Sequence, residues 1–240
     1  MENRNQSFMN SQGEQIISSS RTFIAGVFSW MFLALLITAV AAYLFSSSSE
    51  LMSLLIKETG GLSALGYLVM FAPLGLVLLL SFGINKLSFP AMSGVYILYS
   101  LITGISLSFI LLAFTSESIF KTFLITSAMF GTMAVMGYTT KMDLTRFGSI
   151  LSMFLVGLVI AMVVNIFMKS GTMSYIIDIA GILIFTGLTA YDMQRIKTMG
   201  ENSIAGEEST KKMMLMGALT LYLDFINMFL FLLRLFGSRK

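Results

Sequence analysis

The sequence predicts an all-α membrane protein, a seven-transmembrane-helix bundle, and three observations carry that prediction. The chain is 56% hydrophobic and only 11% charged over its 240 residues. Soluble domains run near a quarter charged, so this chain lacks the polar surface for a water-facing shell. Its mean hydropathy is +0.87, and apolar runs of the roughly 20 residues that a bilayer core demands recur along it.

Residues 1–21 are a polar tail with no apolar run, expected on the cytosolic side; residues 22–240 read as one transmembrane domain. No signal-peptide pattern is read in the tail, so the first span is expected to anchor the chain itself. The spans, in order, are Thr22–Phe45, Leu62–Ile84, Ala91–Phe114, Ile119–Tyr138, Phe147–Met168, Tyr175–Ile196 and Met213–Phe236. Turn-formers or charges separate them: Ser46–Glu50 with Lys57 to Gly61, then Asn85–Pro90, Thr115–Ser118, Lys141–Arg146 and Lys169–Ser174. The longest break, Lys197–Lys212, reads as a polar linker on which a regulator could act. Pro73 interrupts the second span and is expected to kink it. Gly104, Gly131, Gly137, Gly157, Gly181, Gly187 and Gly217 lie inside spans, where small residues let helices approach closely.

Orientation follows from the basic residues at the loops. With the N-terminus inside, Arg4, Arg21, Lys86, Lys141, Arg146, Arg195, Lys197, Lys211 and Lys212 are inner. Lys57, Lys121, Lys169, Arg234, Arg239 and Lys240 are outer, giving nine against six. The N-terminus is expected inside and the C-terminus outside, unless the final apolar run is re-entrant.

Two absences exclude whole classes of chemistry. With Cys 0 and His 0, there is no thiolate nucleophile, cysteine zinc site, Ser-His triad or histidine proton relay. No basic stripe interleaved with aromatics tracks a nucleic acid. The net charge of +3 suits anionic lipid headgroups instead. No resident cofactor is expected.

Of the twelve acidic residues, two stand deep in spans. Asp192 lies in the sixth span within Thr189-Ala190-Tyr191-Asp192-Met193-Gln194, and Asp224 lies midway along the seventh within Leu221-Tyr222-Leu223-Asp224-Phe225-Ile226-Asn227. Asp178, about one turn into the sixth span, reads as interfacial with no special role. An ionised carboxylate near the bilayer centre costs roughly 2.5–3.5 kcal/mol on insertion scales, so such a residue faces the bundle interior and has a partner. The plainer readings are an acid holding two helices together at Asp224, and an interfacial acid beside Arg195 and Lys197 at Asp192.

Whether the two acids meet is a question of depth. At a rise of about 1.5 Å per residue, Asp192 lies roughly 7 Å before Lys197 and Asp224 roughly 18 Å beyond Lys212. Level helix ends would keep the carboxyls about 10 Å apart in depth. The run from Lys212 is, however, roughly 38 Å long, more than the ~30 Å core. A protruding start would bring Asp224 down to Asp192. Two such carboxylates cannot both ionise cheaply, so they would share a proton and titrate as a unit. Losing the proton would push the helices apart or recruit a cation. Calcium takes six to eight oxygens, of which Asp192 and Asp224 with Asn227, Tyr191, Tyr222, Thr189 or freed carbonyls would supply several.

Phe130-Gly131, Gly137-Tyr138-Thr139-Thr140-Lys141 with Asp143-Leu144-Thr145, Thr189 to Gln194, and Ala218 to Asn227 together resemble the transmembrane Bax inhibitor motif family in its short-tailed bacterial form. The resemblance covers nearly all of the chain after the tail. It implies a seven-helix bundle with the seventh helix central, in a bacterial cytoplasmic membrane. It also implies a pH-sensitive calcium leak, with Asp192 and Asp224 as pH sensor and ion site. Some relatives carry an arginine in the second helix that latches one aspartate. Gly61 to Asn85 contains no Lys or Arg, which leaves Arg234 as a candidate outer-side partner or as a side chain snorkelling to the membrane edge.

Three other classes compete with the leak. An intramembrane aspartyl protease would share the two carboxylates, but no Gly-x-Gly-Asp is present, and no enzymatic activity is expected. A proton-coupled carrier would show paired halves with interrupted helices, and no internal repeat is evident. A regulatory protein modulating stress responses or membrane proteases through membrane-protein partners is compatible with any of these.

Overall fold

The computed structural model describes residues 2–57, 60–203 and 207–240, with side chains from residue 20 onward. The order is α1 (Glu2–Ser47), α2 (Ser49–Leu55), α3 (Ala64–Gly83), α4 (Phe89–Ala113), α5 (Ser116–Thr139), α6 (Thr145–Met168), α7 (Gly171–Glu201) and α8 (Glu208–Phe236). Seven of these are long and apolar enough to cross a membrane, the membrane section of α1 beginning at Ser20. Each expected span lies within one of them or overruns it by one or two residues, and the short α2 fills the first break. Among the described residues there is no strand, only isolated bridges between Ile56 and Leu62 and between Phe114 and Arg239.

Local chemistry places the boundaries. Ser48, Ser63, Thr115 and Ser170 each cap the next helix with a side-chain oxygen that accepts an N–H three residues on, satisfying a donor that a helix start leaves unpaired. Pro90 sits in the first turn of α4, where its missing N–H costs nothing. Phe89 there donates its N–H to Glu208 Oε1 of α8 at 3.0 Å, so α4 borrows its cap from the start of the last helix. Gly60 and Gly61, at φ 83° and 86°, turn the chain from α2 into α3 through a region open to glycine.

Helix α8 is central. Its most apolar window is 67% buried, that of α7 56%, and those of the other spans 11–33%. Helices α1, α4, α5 and α7 all pack against α8. Helix α6 is the most apolar of the spans and the least buried, at 11%; it leans on α7 and shows most of its surface to lipid.

One expectation changes. The expected linker between the last spans is mostly helix, because α7 continues to Glu201 and α8 starts at Glu208; residues 204–206 of it lie outside the described residues. Helix α8 runs unbroken to Phe236, the length expected of the last span, with no interruption at which it would turn back. The chain end then lies along the α4–α5 turn: Thr115 N–H donates to Ser238 O and Lys240 N–H to Ala113 O, each at 3.0 Å.

The in-span glycines divide. A Cβ on Gly104 would lie 2.5 Å from Thr38 O, and one on Gly137 would collide with the Ala190 backbone, so α1–α4 and α5–α7 cross backbone to backbone there. Gly131 and Gly157 face open space, and their expected packing role is absent.

Candidate functional site

Helices α7 and α8 run antiparallel, and their facing residues fix a register. From one end to the other, Gly217 packs on Ile196, Asp224 meets Asp192, Phe231 stacks on Phe185 and Arg234 pairs with Asp178. Because α8 begins at Glu208, four residues before Lys212, it overhangs the membrane end of α7, and Asp224 drops to the depth of Asp192.

The two carboxyls interact side chain to side chain, Asp192 being 7% and Asp224 3% exposed. Asp224 Oδ2 is buried and meets no donor among the described residues. Ionised carboxylates only accept hydrogen bonds. A contact between two of them is favourable only when a proton, a water or a cation stands between them. Arg195, one turn beyond Asp192, is the cation that acts on it.

A cavity of about 520 Å³ opens on the pair between α6, α7 and α8, lined by Tyr191, Asp192, Arg195, Thr220, Asp224 and Asn227 among others. A smaller one of about 170 Å³ touches Asp192, Arg195 and Thr220 beside Ile84, Met213 and Met216. Asp192, Arg195 and Thr220 thus form the wall between two spaces, one towards α6 and the other towards the end of α3.

The expected supporting residues part company. Asn227 lines the cavity and donates from Nδ2 to Leu223 O at 2.8 Å. Tyr191 also lines it, its ring against Gly148, where any Cβ would collide. Thr189 is buried, with its hydroxyl donated to Phe185 O at 2.7 Å. Tyr222 points away, to α1 and α4. Its hydroxyl lies 2.8 Å from Thr38 Oγ1, which donates its single hydrogen to Ser100 O at 2.9 Å, so Tyr222 is the donor to Thr38. Its ring meets Tyr99 edge to face at 5.5 Å. Arg234 does not reach the pair: Nη2 bonds Asp178 Oδ1 at 2.9 Å, and the guanidinium covers the Phe231 ring 4.5 Å from its centre. Asp178, expected to be idle, is this partner and is itself buried.

Sequence reasoning missed Gln194, two residues beyond Asp192. Its Oε1 accepts Leu144 N–H at 2.8 Å and its Nε2 donates to Met142 O at 2.7 Å. Lys197 adds a bond to Tyr138 O at 3.0 Å and stands 5.0 Å over the Tyr138 ring. The Lys141–Asp143 turn is thereby tied to the helix that bears Asp192. The available signal was Gln194 within the same six-residue motif.

Among the described residues no group of three or more His, Cys, Asp or Glu converges. The pair therefore brings two carboxylates, with Asn227, Thr220 and Ser152 on the same cavity wall. That donor set is short of the six to eight oxygens of a tight calcium site.

Comparison with known proteins matches residues 20–240 to the family described as "Inhibitor of apoptosis-promoting Bax1". The chain is 44% identical over 221 residues to the inner membrane protein YbhL of Escherichia coli K12, covering 92% of this chain and 93% of that protein. An uncharacterized protein of Rickettsia prowazekii is 42% identical over 221 residues, 92% of this chain and 91% of its own. One of Borreliella burgdorferi is 42% identical over 229 residues, 95% and 97% of the two chains.

Proposed function

The chain belongs to the Bax inhibitor family of multi-pass membrane proteins, and on that premise we propose that it is a pH-sensitive calcium leak gated by the Asp192–Asp224 pair. The observation that carries the reading is the buried contact of two acceptor-only groups. In acid, one shared proton joins the carboxyls and holds α7 to α8. As pH rises the proton leaves, and two like charges remain. At an effective dielectric near 20, unit charges 4 Å apart repel by about 4 kcal/mol. That repulsion is relieved by separating the helices or by admitting a cation to the cavity, so protons and calcium compete for one place.

The pair is read as an ion and proton site, without hydrolytic activity. We place the N-terminus inside, because nine basic residues against six lie at the N-terminal face. The relative named as an inner membrane protein supports the cytoplasmic membrane of a bacterium as the location. In proteoliposomes, calcium flux is expected to rise with pH in the wild type and to lose that dependence in Asp192→Asn and Asp224→Asn. Unchanged flux and pH response in both variants would overturn the proposal.

A further inference from the structure

We propose that Phe185 and Phe231 form an apolar gate between the aspartate cavity and a second, outer cavity, and that the Asp178–Arg234 ion pair locks it. This rests on the reading of the aspartate pair as an ion site. Asp178, Phe185 and Asp192 follow one another at seven-residue intervals on α7, as do Asp224 and Phe231, and Asn227 and Arg234, on α8. Seven residues are nearly two turns, about 10.5 Å of rise, so each set keeps to one face of its helix. The face shared by α7 and α8 therefore reads carboxylates, then aromatic rings, then an ion pair.

The cavities have the same order. The aspartate cavity, about 520 Å³, ends on Phe185, Phe231 and Met162. A second cavity of about 460 Å³ begins at Met162 and contains Asn165, Ser174, Asp178 and Arg234. Met162 belongs to both, and along α7 and α8 the stacked rings, which line the aspartate cavity, stand between the acid pair and the Asp178–Arg234 pair. The ring centroids are 5.9 Å apart at 28°. Phe231 is 4% and Phe185 6% exposed. Gly181 makes room for Phe231, since a Cβ there would fall 2.7 Å from three ring atoms.

Arg234 explains what keeps the ring in place. Its guanidinium covers Phe231 at 4.5 Å while bonded to Asp178 at 2.9 Å, so one cation ties the α8 ring to a carboxylate of α7. An apolar constriction of this kind stops ions by excluding water. An ion can pass between the cavities only if Phe231 swings aside, and that requires the pair above it to loosen.

The chain contains Cys 0, so single introduced cysteines report access directly. Ser174→Cys in the outer cavity and Asn227→Cys in the aspartate cavity are made in the full-length chain, reconstituted in vesicles. Each is exposed to a membrane-impermeant thiol reagent on the side where Ser174→Cys reacts. Asn227→Cys is expected to react about tenfold more slowly than Ser174→Cys, as a dewetted constriction between them implies. Adding Phe231→Ala should remove most of that difference. Adding Arg234→Gln, a half-exposed site that leaves the ring present, should remove part of it. Equal rates at the two cysteines with Phe231 in place would overturn the gate. So would slow labelling of Asn227→Cys that neither Phe231→Ala nor Arg234→Gln accelerates. Calcium flux in the same vesicles reads the leak separately: no flux in the wild type alongside labelling that depends on Phe231 removes the leak and keeps the gate.

Discussion

Asp178 of α7 and Arg234 of α8 are joined by an ion pair of 2.9 Å, one end of the register in which Asp192 faces Asp224. The pair sits between the exposed and the buried regimes, with the arginine side chain 38% and the aspartate 10% exposed. Arg234→Gln is therefore expected to destabilise the fold by about 1–2 kcal/mol, above a surface pair and below a fully buried one. The charge-swapped double variant Asp178→Arg/Arg234→Asp should recover part of the loss. Detergent-titrated unfolding followed by far-ultraviolet circular dichroism checks both.

Gln194 replaces two helix-end bonds that the α5–α6 turn cannot make for itself. Gln194→Leu leaves Leu144 N–H and Met142 O without those partners, at about 1 kcal/mol for each bond. The expected signature is local: faster amide hydrogen exchange at Leu144 and its neighbours, with α1 and α4 unaffected.

Gly137 and Gly131 lie six residues apart on α5 and should answer oppositely to one methyl group. At Gly137 it would strike the Ala190 carbonyl and lie 2.8 Å from its carbon, so the backbones of α5 and α7 must separate. Overpacking of that kind costs on the order of 1–3 kcal/mol. At Gly131 nothing lies within 4 Å, and alanine should be neutral or stabilising through helix propensity. Unfolding midpoints of the two alanine variants make the comparison.

Asp143 sits in the exposed turn before α6, where Oδ1 accepts Thr145 N–H at 2.9 Å. The Thr145 side chain and backbone hydrogen bonds hold its carboxyl below the usual aspartate range. A carboxyl lowered on folding stabilises fully above its unfolded value, and loses that contribution as pH falls through its folded value. Exchange at the Thr145 amide should accelerate only in acid, below the ordinary aspartate range. In Asp143→Asn it should lack that acid step.

The spans were legible because a hydrocarbon core imposes a length, and capping serines and threonines mark where each helix starts. Asp192 and Asp224 stood out for the related reason that a mid-span carboxylate must have a partner. Their contact was not legible, since it depends on where α8 begins, and Glu208 is polar enough to read as linker although it starts the helix and caps α4. The Asp178–Arg234 pair was not legible, the two being 56 residues apart; one turn from a span end, an acid looks the same with or without an ion pair. Tyr222 is two residues from Asp224, which on a helix turns it to nearly the opposite side, and Thr38 and Tyr99 await it there. Gly131 and Gly157 show the limit of composition, because a glycine facing lipid and one under a crossing helix look alike in sequence.

The account turns on Asp192 and Asp224 acting as one unit, and the pH dependence of calcium flux in a double-mutant cycle tests this most directly. Flux is measured across acid to mildly alkaline pH for the wild type, Asp192→Asn, Asp224→Asn and the double variant in matched proteoliposomes. Either single substitution should abolish the rise of flux with pH, and the double variant should add nothing further, because removing one carboxyl already dissolves the shared proton. Additive effects of the two substitutions, or a pH response that survives in either single variant, would contradict it.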